Sequence, residues 1–464
     1  MSSDPSGKIV EQALGAYKKT FAESTISDTS GDFPRFAFSE LTLGKRLGEG
    51  GFGVVSEVLA FDISAHEDSH RPPETSVEVE TTGVEVERKE EEEDPDFQGR
   101  KFIADHCIRN DSDARYAIKI LKKSLVDKAD VNLMVKALAD MAVETHILSA
   151  IEHPNIVKLR GVSQQGRYHP EYFIVMDRLY DTLDKRLKAW AEVFPKPPPM
   201  PKKNPPSKRQ SSGSTRSTSS RASKLGCIFG RKSSQEFDDD EEKEEQDDTV
   251  EMNPTTIESS PSNLEKKKKL LEERLVACFD LASAIAYLHE RNIIYRDTKP
   301  ENCAFDVRGD IKLFDFGTAK ELPPQNSKRD LTFNLTGMTG SLPWMAPEVA
   351  KSDPYNHKVD VFSFAVLLWQ IVALEMPFKE YESDLRLFWE EVHNGPHKRP
   401  EIPRLGWPKP IELCMRRGWA KEPSERMEMK QIENILRKEI IRVRKGDDAG
   451  LRHDRRRSTF VFRR

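Results

Sequence analysis

The sequence predicts an α+β protein of two unequal lobes, the first strand-rich and the second larger and mostly helical. Three observations predict it. Short apolar alternations broken by glycines begin near Phe36, apolar stripes at helical spacing take over after the midpoint, and the change falls near Met176. Single cores tend to split beyond roughly 250–300 residues, so 464 residues leave room for such a division. A cleft between unlike lobes is a common ligand site.

The elements follow in order. Residues 1–36 lack sustained periodicity and read as a flexible extension. A main domain spans 37–444, with a small lobe over 37–176 and a large lobe over 177–444; a basic tail occupies 445–464. Two strands and a tight turn are expected between Phe36 and Phe61. Residues 63–113 are acidic and poor in aromatics, including Glu90-Glu91-Glu92-Glu93-Asp94, and read as a disordered insertion. Strand character returns at Tyr116-Ala117-Ile118-Lys119. A helix is expected over 131–151, ended by His153-Pro154-Asn155 because proline disfavours helix in the residue before it. Tyr172-Phe173-Ile174-Val175-Met176 reads as a buried strand. A second insertion, 195–263, runs from a proline cluster through basic, serine-rich sequence to an acidic run at 238–245. Leu271, Leu275, Cys278, Ala282 and Ile285 then fall on one helical face, and helical patterns dominate to about Arg444.

Composition narrows the class. Hydrophobic residues are 37% and charged residues 33%, a core diluted by polar segments. A net charge of −5 gives no general affinity for nucleic acid or membrane. Lys266–Lys269 and the terminal arginines sit beside acidic runs or at a chain end and read as solvated charge. Five scattered cysteines lack metal-ligand spacing and read as reduced thiols. No signal peptide opens the sequence, and the most apolar stretch, 361–374, falls short of the about 20 residues a bilayer span needs. A cytoplasmic or nuclear protein without a membrane span is expected.

Chemistry gathers at four places. Gly48-Glu49-Gly50-Gly51-Phe52-Gly53-Val54-Val55 has the G-x-G-x-x-G-x-V spacing, in which glycines let backbone N–H groups approach phosphate. Taken alone it fits a phosphate loop or a structural turn, but the strand-like residues after it disfavour a dinucleotide fold. Lys119 ends an apolar strand and either reaches solvent or needs an anion, for which Glu144 is the candidate. Tyr295-Arg296-Asp297-Thr298-Lys299-Pro300-Glu301-Asn302 is followed, eighteen positions after Asp297, by Asp315-Phe316-Gly317. Two acids, an asparagine and a lysine beside a phosphate loop suit magnesium-assisted phosphoryl transfer.

Gly48, Gly50, Gly53 and Val55, Ala117-Ile118-Lys119, Arg296-Asp297, Asp315-Phe316-Gly317 and Ala346-Pro347-Glu348, in that order, resemble the eukaryotic protein kinase family over about 38–444 outside the insertions. The resemblance implies a small antiparallel sheet lobe with one main helix and a larger helical lobe. It implies ATP and magnesium as cofactors and protein hydroxyls as substrates. Gly48, Gly50 and Gly53 would cover the phosphates; Val55 and Ala117 would contact the adenine. Met176 would be the gatekeeper, with Asp177 and Leu179 in the hinge. Lys119, paired with Glu144, would hold the phosphates. Asp297 would be the base, Lys299 would steady the moving phosphoryl group, and Asn302 and Asp315 would hold magnesium. Glu348 would pair with Arg426, and Asp360 would open the buried helix of the large lobe.

Lys299, two places after the base, and Gly340-Ser341 point to a serine/threonine enzyme. Trp344-Met345 and Gly418-Trp419 resemble the tyrosine-kinase-like group. Arg296 and the hydroxyls Thr332, Thr336 and Thr339 imply control by an upstream kinase that phosphorylates the segment, which also contains Ser341. Tyr295 and Thr298 stand where the family most often has histidine and leucine, and Ala365 replaces a common glycine. None removes a catalytic group. The competing reading is a catalytically silent pseudokinase scaffold.

Overall fold

A computed structural model describes residues 5–22, 24–63, 95–127, 130–193, 261–323, 331–402 and 407–445. It opens with a helix, α1 (Pro5–Thr20), whose Ile9, Ala13 and Tyr17 repeat every four residues and pack into the main core. Strands β1 (Arg35–Phe36), β2 (Leu41–Glu49) and β3 (Gly53–Phe61) follow, then helix α2 (Pro95–Asp105), β4 (Tyr116–Leu121), the short α3 (Lys123–Asp127) and the long α4 (Val131–Ala150). Asp130 caps α4 by accepting from the Leu133 N–H at 3.1 Å. β5 (Leu159–Ser163) and β6 (Phe173–Asp177) complete the small lobe.

Six strands form one sheet in the order β1-β5-β6-β4-β3-β2. Its two faces are covered differently. Ala117, Ile174 and Met176 point toward the main core with α4, whereas Phe36, Val58, Tyr116, Ile118, Phe173 and Val175 form a second core with Ile103 and Cys107.

The large lobe contains β7 (Asp181–Thr182), α5 (Leu183–Val193), α6 (Pro261–Glu290), β8 (Ile293–Ile294), β9 (Cys303–Phe305), β10 (Ile311–Leu313) and β11 (Lys320–Glu321). It continues with α7 (Pro347–Lys351), α8 (Lys358–Ala373), α9 (Leu385–Phe388), α10 (Lys409–Gly418) and α11 (Met429–Arg444). Every residue of α8 is buried, so the large lobe is organised around it. The α+β, two-lobed architecture agrees with the sequence expectation.

Three expectations need correction. Residues 5–22 and 24–36 do not form the flexible extension expected over 1–36: α1 lies on α4, and β1 joins the sheet parallel to β5, so the sheet is not wholly antiparallel. The apolar residues responsible are spaced over short, broken stretches, too few for a sustained periodic signal. The span 63–113 is not uniformly disordered either. Its end forms α2, where Arg100 makes a buried ion pair with Glu40 at 2.5 Å, and just beyond the helix Cys107 donates to the Val58 carbonyl. Finally, α6 begins at Pro261, inside the span read as the second insertion. Residues 64–94, 194–260 and 446–464, with the serine clusters at 231–234 and 455–459, lie outside the described residues.

Among the described residues no helix is long and apolar enough to cross a membrane. Cys107, Cys278, Cys303 and Cys414 are free and buried.

Candidate active site

The upper wall comes from the sheet. At the β2–β3 turn the Gly50 N–H donates to the Gly53 carbonyl at 2.9 Å. A side chain at Gly48 would meet no atom within 4 Å, and at Gly50 only the Gly53 carbonyl at 3.9 Å, so the loop borders open space. Gly53 is constrained: a Cβ there would lie 3.2 Å from the Ile120 carbonyl and 3.4 Å from Lys119 Cε. Val55 pairs with Lys119, and Ala117 with Met176, which places all four on one sheet face. Asp177 turns its carboxylate to Arg160 in a two-pronged pair at 2.7 and 2.9 Å. Any contribution of Asp177 to a nucleotide therefore falls to its backbone. Leu179 lines a cavity of about 390 Å³ with Pro154, Arg160 and Asp177.

Lys119 joins the lobes. Its Nζ lies 2.5 Å from Glu144 on α4 and 3.0 Å from Asp315 of the large lobe. Burial opposes the Lys119 charge, but Asp315 and Glu144 outweigh it and hold its pKa above the ordinary lysine range. The ammonium in turn pulls Asp315 below its usual value. Glu144 also accepts from the Phe316 N–H at 3.3 Å, and Phe316 is fully buried against the Tyr295 ring. Helix α4, strand β4 with Lys119 and the Asp315 segment are thus tied through one carboxylate.

The second cluster lies wholly in the large lobe. Asp297 accepts from Lys299 Nζ at 2.7 Å, Asn302 Nδ2 at 2.8 Å and Ser341 Oγ at 3.1 Å, while Lys299 also donates to Ser341 at 2.8 Å. The Phe314 N–H donates to the Asn302 carbonyl at 3.1 Å, which brings Asp315 beside Asn302. Asn302 gives amide hydrogens to the Asp297 carbonyl and carboxylate, leaving its Oδ1 as acceptor. The Asp315 side chain is 42% exposed. Two hard oxygen donors of this kind fit magnesium, which keeps several ligands as water and phosphate. No three or more His, Cys, Asp or Glu converge as a metal cluster among the described residues.

The backbone beneath is held in costly conformations. Arg296 has φ 70° and Asp315 φ 63°, both left-handed. Asp360, fully buried at the start of α8, accepts from the Tyr295 and Arg296 N–H groups at 2.8 and 2.7 Å and lies 2.9 Å from His289 Nε2. That carboxylate fixes the loop. Gly340 has φ 98°, and a Cβ there would lie 2.4 Å from the Arg296 carbonyl, which explains glycine before Ser341. Glu348 and Arg426 form a two-pronged buried pair at 2.5 and 2.9 Å.

Several side chains have partners that the sequence did not indicate. The Arg296 guanidinium bonds the Thr318 carbonyl at 2.6 Å and the Tyr355 hydroxyl at 3.1 Å. Tyr355 passes the link to the Thr336 carbonyl at 2.7 Å, and Thr339 Oγ1 donates to that same carbonyl at 3.0 Å. Ser341 belongs to the Asp297 cluster. His289, Thr318 and Tyr355 escaped the sequence reading because each is a single residue whose partner is distant in the chain. Asp140, one turn before Glu144, also escaped it. Its Cβ lies beside Gly317, and burial pushes its pKa up to about 7.

The family of protein tyrosine and serine/threonine kinases matches residues 103–436, and the chain belongs to it. Similar proteins include human mitogen-activated protein kinase kinase kinase 7, 37% identical over 181 residues, which are 38% of this chain and 28% of that protein. Arabidopsis thaliana serine/threonine-protein kinase STY17 is 34% identical over 178 residues, 38% of this chain and 29% of that one. Xenopus laevis mitogen-activated protein kinase kinase kinase 13-B is 34% identical over 152 residues, 33% of this chain and 15% of that protein. The chain thus aligns with less than a third of these relatives' length.

Proposed function

We propose that the chain transfers the γ-phosphoryl group of ATP to serine or threonine hydroxyls of other proteins. One observation carries the reading: Lys119, Glu144 and Asp315 meet across the two lobes beside the Asp297, Lys299 and Asn302 cluster. The names of the relatives, a serine/threonine-protein kinase and two mitogen-activated protein kinase kinase kinases, agree with it.

The glycine turn and Lys119 bind and orient the triphosphate. Asn302 and Asp315 would hold magnesium, whose charge would neutralise that developing on the phosphate oxygens. Asp297 orients the acceptor hydroxyl: its oxygen bonds to phosphorus as the bond to the departing diphosphate breaks, and its proton passes to the carboxylate. Lys299 bridges Asp297 and Ser341, so it can meet a moving phosphoryl group without leaving its partners. The transfer is driven by alignment and charge, not by a covalent enzyme intermediate.

A silent scaffold is disfavoured because the lysine, the base and the metal-side acid are all present and gathered. An upstream kinase acting on the segment between Asp315 and Glu348 remains part of the proposal, with Arg296 and Tyr355 as the route by which added phosphate would be felt. Incubating the purified chain with radiolabelled ATP, magnesium and a peptide library tests the reading. Labelled phosphoserine or phosphothreonine supports it; no transfer, or transfer confined to tyrosine, contradicts it.

A further inference from the structure

Nothing in phosphoryl transfer explains why residues before the domain should contact both lobes. The segment does so at two buried groups. The first is His146, two positions past Glu144 on α4 and 4% exposed. Its Nε2 lies 3.2 Å from the Ile26 carbonyl, which can only accept, so Nε2 carries the hydrogen and Nδ1 accepts from the Tyr17 hydroxyl at 2.6 Å. Phe21 stacks on the imidazole with ring centres 3.9 Å apart. The second is Glu321 in β11, 6% exposed and six positions past Asp315. Its carboxylate accepts from the Thr25 N–H at 3.0 and 3.1 Å, from Thr25 Oγ1 at 2.5 Å, from Ser24 Oγ and from the Ile26 N–H at 3.4 Å.

β11 pairs with β8, and β8 runs directly into Tyr295 and Arg296. The strap therefore spans from the helix that carries Glu144 to the root of both the Asp297 loop and the Asp315 segment. Asp28 anchors it by pairing with Arg167 at 2.6 Å, and Thr29 Oγ1 donates to the Ser149 carbonyl at the end of α4 at 2.7 Å.

We propose that residues 5–22 and 24–32 form a latch in cis that positions α4 for catalysis, and that negative charge added at Ser24 or Thr25 opens it. Both hydroxyls donate to a carboxylate that has little access to water. An anion at either position removes a donor and sets like charges together, which is costly where solvent cannot screen them. Thr25 is exposed and is the modification site the geometry favours. Its Oγ1 would bond to the terminal phosphorus of a nucleoside triphosphate as the diphosphate leaves and the hydroxyl proton is released. The positioning role rests on the activity proposed above; the docking of the latch does not.

The test uses the full chain with Thr25→Glu, Glu321→Gln and the double substitution, read by amide hydrogen exchange over 141–147 and by kcat on a peptide substrate. Thr25→Glu should speed exchange there and lower kcat, each roughly tenfold, while in the Glu321→Gln background the same change should cost less than about threefold. An unaltered exchange rate, or an equal loss in both backgrounds, overturns the latch. If the wild-type chain transfers no phosphate, the proposed activity fails, yet the exchange comparison still decides the latch. Should Thr25→Glu not fold, Thr25→Val removes only the hydroxyl donor; it should give a smaller increase in exchange, and no increase contradicts the proposal.

Discussion

The two halves of the site are held in opposite ways. Around Asp297 every partner comes from the large lobe, and Asp360 of the buried helix α8 clamps the loop backbone from below. The Lys119 cluster is assembled from three separated pieces: the small-lobe strand that carries Lys119, helix α4 and the Asp315 segment. α4 in turn rests on α1. The loop of Asp297 is rigid because its supports are local and buried, whereas the Lys119 cluster exists only while distant elements stay docked. Chemistry is therefore built into one half, and control can be exerted on the other.

If that contrast holds, damage to the rigid half should remove turnover without disturbing the fold. Asp297→Asn keeps the shape but turns one accepting oxygen into a donor, loses the charge opposite Lys299 and removes the proton acceptor. A fall in kcat of roughly 10²–10⁴-fold is expected, with the variant still folded by circular dichroism. A variant within a few-fold of wild type would break the assignment. In the assembled half, Glu144→Gln should cost roughly 10²-fold in kcat through misplacement of Lys119, with ATP binding retained in part, as steady-state kinetics and nucleotide titration would show.

Glu348→Gln tests support rather than chemistry. It removes the charge opposite the fully buried Arg426 guanidinium, which keeps only carbonyl partners at Ala420, Lys358 and Lys421 and the glutamine oxygen, so denaturant unfolding should show a loss of about 3 kcal/mol with kcat per folded molecule nearly intact. The smallest effect concerns Asp140. Its folded pKa, raised from 3.8 to about 7 by burial, means the folded chain keeps a proton that the unfolded chain has shed across that window. Wild-type stability should fall as pH rises through it and level off above. Asp140→Asn lacks the group, so its melting temperature relative to wild type should climb from pH 4 to about 7 and then stay flat. A constant difference would place Asp140 in a wetter setting.

The rigid half was nearly all legible in the sequence, because Tyr295 through Asn302 lie in one short dense string whose residue types permit little else, and Asp315 through Gly317 of the other half were legible for the same reason. Lys119 and Glu144 were legible as a pair, since a lysine in an apolar strand requires an anion and the apolar helix offered one. What escaped depends on contacts remote in sequence. Tyr17 meets His146 across 129 positions, and Thr25 meets Glu321 across 296. Neither element carries enough periodic apolar sequence to announce itself. α2 was hidden for a related reason, since it follows an acidic run and sets only Ile103 and the half-buried Ala104 against the second core, with Cys107 just beyond its end. The present partners of Arg296, the Thr318 carbonyl and the Tyr355 hydroxyl, were likewise not legible.

The claim that most needs testing is that the two halves work together as one transfer site. Single-turnover transfer from magnesium ATP to a serine-containing peptide should proceed in the wild-type chain and fall to background in Asp297→Asn and in Lys119→Met, with both variants folded by circular dichroism. Transfer at the wild-type rate by either folded variant would contradict the account.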